Sequence, residues 1–260
     1  MGIKYENLNT EGLAKQISGK IRDAILEGSL KVADRLPTEE DLAERFGVSR
    51  PTIREALKRL AAQNLIHTRR GPSGGSFVKK PSLEEMRGQL SSMAAVLLSV
   101  NEFTLYDVVE TRHELEAVCC RLASSRPPEE MVELQAQLFD MAAELQRQRD
   151  PSLTDVEFCA SDVRFHCLIA DATHNSMLRF LVTAVIETME PILNLIAYRF
   201  HERKFIVARH EEILEGIKAQ DPTLTTAALD RMIEYLRQKY AMAQESRTTP
   251  HEISSEAKVS

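Results

Sequence analysis

Residues 47–60 read Gly47-Val48-Ser49-Arg50-Pro51-Thr52-Ile53-Arg54-Glu55-Ala56-Leu57-Lys58-Arg59-Leu60. Ser49 has the short hydroxyl side chain favoured at a helix N-cap, and Pro51 is tolerated in a first turn. Ile53, Ala56, Leu57 and Leu60 recur at helical spacing and form an apolar stripe. Arg50, Thr52, Arg54, Lys58 and Arg59 fall mostly off that stripe. The spacing therefore predicts a short helix with a basic exposed face. Arg50 and Arg54, four apart, project from one side of it.

Upstream, Leu13, Ile17, Ile21, Ala24 and Ile25 predict a first helix that stops at Gly28. Leu36-Pro37 then enters a second helix. There Thr38 precedes Asp41 by three residues, and Glu39, Glu40 and Asp41 suit a helix N-terminus. That helix runs to Phe46 and breaks at Gly47. Downstream, Leu65-Ile66-His67-Thr68 predicts a strand, residues 69–75 a basic glycine-rich turn, and Ser76-Phe77-Val78 a returning strand. Helix, helix-turn-helix and β-hairpin follow in the order of a winged helix. A helix of this kind reads bases in the major groove from its N-terminal residues, and an arginine there can bond guanine bidentately.

The whole chain of 260 residues carries a net charge of −6, which by itself argues against a nucleic-acid binder. The charge is unevenly distributed. Residues 1–80 hold 15 basic and 10 acidic side chains, whereas the remainder holds 18 and 29. A basic first third on an acidic body suits electrostatic docking of one domain on phosphates. Cys119, Cys120, Cys159 and Cys167 form no C-x-x-C pair and are expected to be reduced thiols packed as small apolar groups. No apolar run reaches the roughly 20 residues a membrane helix needs, and the polar first nine residues lack the apolar segment of a secretory signal. The expected compartment is cytoplasmic.

Lys79-Lys80-Pro81 has the composition of a linker. Every long segment beyond it is helical in pattern, with candidate helices over 83–98, 105–124, 129–148, 153–172, 176–200, 204–219 and 224–246. Breaks fall at Pro127-Pro128, Asp150-Pro151, His174-Asn175 and Asp221-Pro222. The expected fold is mainly α. It consists of an N-terminal winged helix-turn-helix over 9–79 with a small β-hairpin wing, a linker over 80–84, an antiparallel all-helical bundle of about seven helices over 85–246, and a disordered tail over 247–260. Within the bundle Asp162 and His166 are four apart and share one helix face. This spacing suits a carboxylate and an imidazole converging on one divalent metal.

The stretch Leu36-Pro37-Thr38-Glu39 through Phe46 to Leu57, together with Leu60 and the Gly74-Gly75-Ser76-Phe77-Val78 wing, resembles the GntR family of bacterial transcription regulators. The resemblance implies DNA contacts from Arg35, Thr38, Ser49, Arg50, Thr52 and Arg54, assisted by Arg70 and the wing glycines, Gly75 among them. Glu40 stands where fatty-acid-responsive members carry a DNA-contacting arginine, so their operator does not transfer. The helical remainder, with Glu110-Thr111-Arg112-His113-Glu114-Leu115-Glu116, resembles the FCD effector domain of the FadR subfamily. That resemblance implies a metal site completed by two later histidines. His210 matches the first. Met232 stands where the second is expected, with Tyr235 one turn on, and neither is a good ligand for a hard or borderline ion.

Three arrangements stay open for Asp162, His166 and His210. They form a three-ligand site for one divalent ion, zinc or similar, completed by water or a carboxylate effector; or a metal-free pocket that binds effector directly; or a plain buried Asp–His hydrogen bond. Arg112, inward-facing by resemblance, is a candidate partner for an anionic metabolite, or else forms an ion pair with a neighbouring glutamate. The resemblance further implies a homodimer placing two heads on a pseudo-palindromic operator, repression relieved by the ligand, and no enzyme activity. Two rival classes are a metal-dependent hydrolase built on the same triad and an effector-independent structural DNA binder. No general base stands out near the triad, and an effector-sized acidic body gives a structural binder no advantage.

Overall fold

The computed structural model describes residues 10–71, 74–200 and 202–248 and divides into two compact units, Met1–Leu83 and Glu84–Ser260. The polar first nine residues, His201 and most of the expected disordered tail lie outside the described residues.

The first unit begins with α1 (Thr10–Leu26), whose Ala14, Ile17 and Ile21 are buried. Helix α2 (Glu39–Phe46) opens with a reciprocal capping box. The Thr38 hydroxyl accepts from Asp41 N–H at 3.1 Å, and the Asp41 carboxylate accepts from Thr38 N–H at 3.2 Å. The helix ends at Gly47, whose φ of +63° is the left-handed conformation glycine adopts without strain. Helix α3 (Arg50–Ala62) is capped by Ser49 and buries Ile53, Ala56, Leu57 and Leu60, as the spacing predicts. Thr52 departs from expectation. It is buried, with its hydroxyl 2.8 Å from that of Ser49. Lying four residues before Ala56 and eight before Leu60, it belongs to the edge of the apolar stripe.

Strands β1 (Ile66–Arg69) and β2 (Gly75–Val78) pair antiparallel, with Ile66 opposite Val78 and Arg69 opposite Gly75. The hairpin is thus one residue longer toward its turn on each arm than the pattern predicts. Leu36 N–H donates to Ser76 O and Val78 N–H to Asp34 O, which ties the wing to the segment before α2.

The second unit is all-helical among its described residues: α4 (Leu83–Ser99), α5 (Leu105–Ala123), α6 (Met131–Gln148), α7 (Asp155–Asp171), α8 (Ser176–Phe200), α9 (Arg203–Lys218) and α10 (Pro222–Thr248). Boundaries shift from the sequence reading where caps act. Thr154 and Glu157 form a capping box that starts α7 at Asp155. Pro222 opens α10, because the carboxylate of Asp221 accepts from Thr223 and Leu224 N–H and a proline fits a first turn. Residues 128–130 form a single 3-10 turn before α6.

Helix α7 packs on α8 and α6, and α10 on α9 and α5. Phe158, Phe165, Ile169, Met141, Ile186, Met189, Ile213 and Ile217 make a fully buried core between them. Cys119 and Cys120 lie inside this core, and burial pushes the Cys119 thiol up to about 12. No described helix is long and apolar enough to cross a membrane.

Helices α9 and α10 approach closely at Gly216, where an added Cβ would stand 2.9 Å from Thr225 N and 3.1 Å from Thr225 Cα. These are backbone atoms that cannot yield easily. Gly216→Ala is expected to destabilise the helical unit by about 1–3 kcal/mol through overpacking, read as a lowered midpoint in urea unfolding followed by circular dichroism.

Candidate functional site

In the first unit the starts of α2 and α3 lie beside each other, joined by Arg54 and Glu39. Arg50 is exposed at the start of α3. Arg54 reaches across to Glu39 at the first turn of α2, with Nη2 donating to Oε2 at 2.8 Å and Nε to Oε1 at 3.3 Å. This pairing holds the Glu39 carboxyl below its usual range. The Thr38 and Ser49 hydroxyls cap the two helices. Arg35 Nη2 donates to Gly74 O at 2.5 Å, and Gly75, at φ +144°, leaves room for that guanidinium. An added Cβ there would fall 2.9 Å from Arg35 Nε. Arg70 is exposed on the wing turn, and Glu40 is exposed on α2. Arg54 is thus joined to the start of α2 and Arg35 to the wing, while Thr52 is buried with its hydroxyl against that of Ser49.

In the second unit α7 supplies Asp162 and His166 from consecutive turns, and α9 brings His210 against them. Their ligand atoms lie within 4.8 Å of one another, and all three residues are buried. His210 Nε2 is 3.1 Å from His166 Nε2 and 3.3 Å from Asp162 Oδ1, and His166 Nε2 is 3.9 Å from the same oxygen. The outer nitrogen of His210 defines its tautomer. His210 Nδ1 donates to Gln148 Oε1 at 2.8 Å, because an amide oxygen only accepts. His166 Nδ1 lies 3.1 Å from Glu116 Oε1 but makes no hydrogen bond there. With the His210 proton on Nδ1, its Nε2 is an acceptor, and the 3.1 Å contact is a hydrogen bond when His166 carries its proton on Nε2.

Burial pulls the His210 pKa down against the influence of Asp162. Burial would raise Asp162, but a hydrogen bond with His210 and the charges of His166, His210 and Arg112 outweigh it and hold the carboxyl far below its usual range. The three ligand atoms converge closely enough for one cation to replace the protons between them. The two imidazoles and one carboxylate fit a borderline divalent ion such as zinc, for which bonds of about 2.0–2.2 Å are usual. Gln148 and Glu116 are the outer partners that orient the two rings.

Arg112 and Glu116, one turn apart on α5, form a fully buried ion pair with Nε to Oε1 at 3.3 Å. Both sequence alternatives for Arg112 therefore bear on one group, which is inward-facing and also paired. Its Nη1 remains without a partner, as do Glu116 Oε2, Gln148 Nε2 and the Tyr240 hydroxyl. Burial pushes the Tyr240 phenol up, and its charged neighbours are Arg112, Asp162 and Glu116. Met232 is buried in the apolar core. Tyr235 is occupied elsewhere, stacked on Phe205 with ring centroids 4.5 Å apart. His113 pairs with Asp230 at 2.7 Å, away from the triad.

Sequence reasoning missed Glu116, Gln148 and Tyr240. Glu116 was findable, standing one helical turn from Arg112. Gln148 and Tyr240 carry no local signal. Gln148 also lines a cleft of about 940 Å³ together with Arg149, Leu153, Arg203, Lys204 and Phe205.

A winged helix joined to a helical unit with a buried polar centre defines a transcriptional regulator. Residues 13–78 match the family model described as bacterial regulatory proteins, gntR family, and residues 107–235 match that of the FCD domain. The HTH-type transcriptional regulator RmpR of Mycobacterium gastri is 30% identical over 223 residues, covering 84% of this chain and 76% of that protein. The HTH-type transcriptional regulator YcbG of Bacillus subtilis is 28% identical, covering 91% and 94%. A structure of Streptococcus agalactiae GntR shares the fold with a TM-score of 0.54 at 22% identity, covering 86% of this chain and 99% of that one. The chain belongs to the GntR family, in its FCD-containing FadR subfamily. This family and these relatives are transcriptional regulators, not enzymes.

Because Arg112 and Glu116 are wholly out of solvent, truncating one strands the other. Glu116→Ala is expected to cost about 3–5 kcal/mol of stability. Replacing both by Met and Leu is expected to be far milder, with both variants measured by denaturant unfolding.

Proposed function

We propose that the protein represses a metabolic operon and is released when a small carboxylate metabolite binds in its helical unit. The observation that carries this reading is the buried convergence of Asp162, His166 and His210 beside the unpartnered Nη1 of Arg112. Such a centre is suited to a small anion. Asp162, His166 and His210 would hold one divalent ion, which supplies a Lewis acid for a carboxylate oxygen when bound. Arg112 Nη1 donates to the second oxygen and compensates its charge. Gln148 keeps the His210 proton on its outer nitrogen, and Glu116 stands beside the outer nitrogen of His166. The cleft bordered by Gln148 supports an access route that ends beside His210.

On the DNA side, α3 lies in the major groove. Arg50 and Arg54 read bases, Arg35, Thr38, Ser49 and Arg70 contact backbone, Thr52 holds Ser49, and Gly75 lets the wing approach. The working form is a homodimer with two heads on a pseudo-palindrome in the bacterial cytoplasm. One face of α4 supports self-association, since Leu90, Met93 and Val96 leave their apolar side chains exposed. The DNA-binding unit is assigned to 9–79 and the effector and dimerisation unit to 85–246, joined by a linker over 80–84. Effector binding shifts the heads only through unequal affinity for two arrangements.

The test uses a duplex selected from a random pool by the full-length protein. Addition of zinc with small mono-, di- and hydroxycarboxylates is expected to weaken binding for at least one acid. If none of them alters binding to the selected duplex, the effector reading fails and a structural DNA binder replaces it. Metal analysis is expected to find at most one divalent ion per chain, and His210→Ala should abolish it. Arg50→Ala should cost about 1–3 kcal/mol of operator affinity. An unchanged affinity would remove α3 as the reading helix. Sedimentation should give a dimer, and Val96→Glu should shift it toward monomer.

A further inference from the structure

The first turn of α2 carries three acids in the face assigned to DNA, Glu39, Glu40 and Asp41. Asp41 is engaged in the capping box with Thr38, and Glu40 is exposed. Either of them complements the helix dipole. Glu39 alone reaches the neighbouring helix, where its two oxygens take the Nε and Nη2 hydrogens of Arg54.

Stability does not explain this pair. The two side chains are 54% and 33% exposed, and ion pairs so open to water contribute little. A carboxylate in a surface that meets phosphates also weakens sequence-independent binding. Geometry offers a reason for it. Arg54 has five N–H groups in one plane. Glu39 occupies those on the Nε side, leaving the Nη1 group and the outer hydrogen of Nη2 on the distal edge. That edge presents two parallel donors, the fork that matches O6 and N7 of guanine. Glu39 also lies in the field of Arg50, which helps to lower its pKa, so the carboxylate stays ionised between both arginines.

We propose that Glu39 is a positioning residue for sequence recognition: it fixes the guanidinium of Arg54 with the distal edge free and restrains it from swinging to a phosphate. The inference rests on the assignment of α3 as the reading helix. Glu39 therefore lowers affinity for DNA in general and raises discrimination at one base pair. It acts through Arg54 and does not itself need to touch a base.

The experiment selects duplexes from a random pool with full-length protein, then with Arg54→Ala and Glu39→Gln. Melting curves confirm that each variant is folded. Arg54→Ala is expected to erase one guanine preference. Glu39→Gln, of the same shape without the charge, is expected to lower preference at that same position by roughly fivefold or more. It should also tighten binding to unselected DNA, with a salt slope steeper by about one phosphate contact. A merely structural role would weaken all sequences alike and leave the preference profile unchanged. That outcome for Glu39→Gln, with the guanine preference still lost in Arg54→Ala, would overturn the inference while leaving the reading helix intact. If Arg54→Ala itself leaves the profile unchanged, the assignment of Arg54 to base reading has failed, and this inference falls with it.

Discussion

A guanidinium fully removed from water is the constraint around which the helical unit is organised. Arg112 is buried to 1% exposure, and its charge must be answered within the core. Glu116 answers it from the next turn of α5. The influence then passes to His166, and from there to Asp162 and His210. Each member lies beside the next, although Arg112 Nη1, Glu116 Oε2 and His166 Nδ1 keep no hydrogen-bond partner. Removing the arginine would leave the carboxylates of Glu116 and Asp162 on either side of His166. The α5, α7 and α9 helices are thereby locked in register by electrostatics as well as by Phe158, Phe165 and Ile213. The His210 tautomer follows from its contact with Gln148, whose amide oxygen accepts from Nδ1–H.

The winged unit handles charge in the opposite way. Arg35, Arg50, Arg54 and Arg70 remain exposed to solvent, where they add little stability and can meet an anion. Order is imposed lightly, by one ion pair to Arg54 and one carbonyl contact to Arg35. Capping hydroxyls hold the helix starts that present these groups. A regulator needs this contrast. The face proposed for DNA must displace the cations condensed on a polyanion, whereas the interior centre proposed for a small charged ligand must stay dry.

Much of this was legible in the sequence where the signal is short-ranged. The apolar stripe of α3, the Thr38 cap and the i, i+4 pair Asp162–His166 depend on residues within one or two turns. The misreadings are equally local. Thr52 was assigned outward by its polarity, although its position places it on the stripe's edge and Ser49 supplies a partner for its hydroxyl. Asp221-Pro222 does mark the break between α9 and α10, but α10 opens at Pro222, two residues earlier than the pattern predicts, because Asp221 caps it. His210 was found only by family resemblance, since 44 residues separate it from His166 and no periodicity spans that gap.

The sequence by itself determined the order of elements, the winged helix-turn-helix, the all-helical second unit and the uneven charge. These are consequences of periodicity, capping and composition, which act along the chain over a few residues. Tertiary structure alone decided that Arg112 is buried and paired, that Gln148 orients His210, that Tyr240 faces the same centre and that Arg54 is held by Glu39. Apart from the Arg112–Glu116 pair, four positions apart on α5, those contacts join residues 15 to more than 100 positions apart. They exist only once helices pack, because packing removes water and so compels each buried polar group to find a partner across elements.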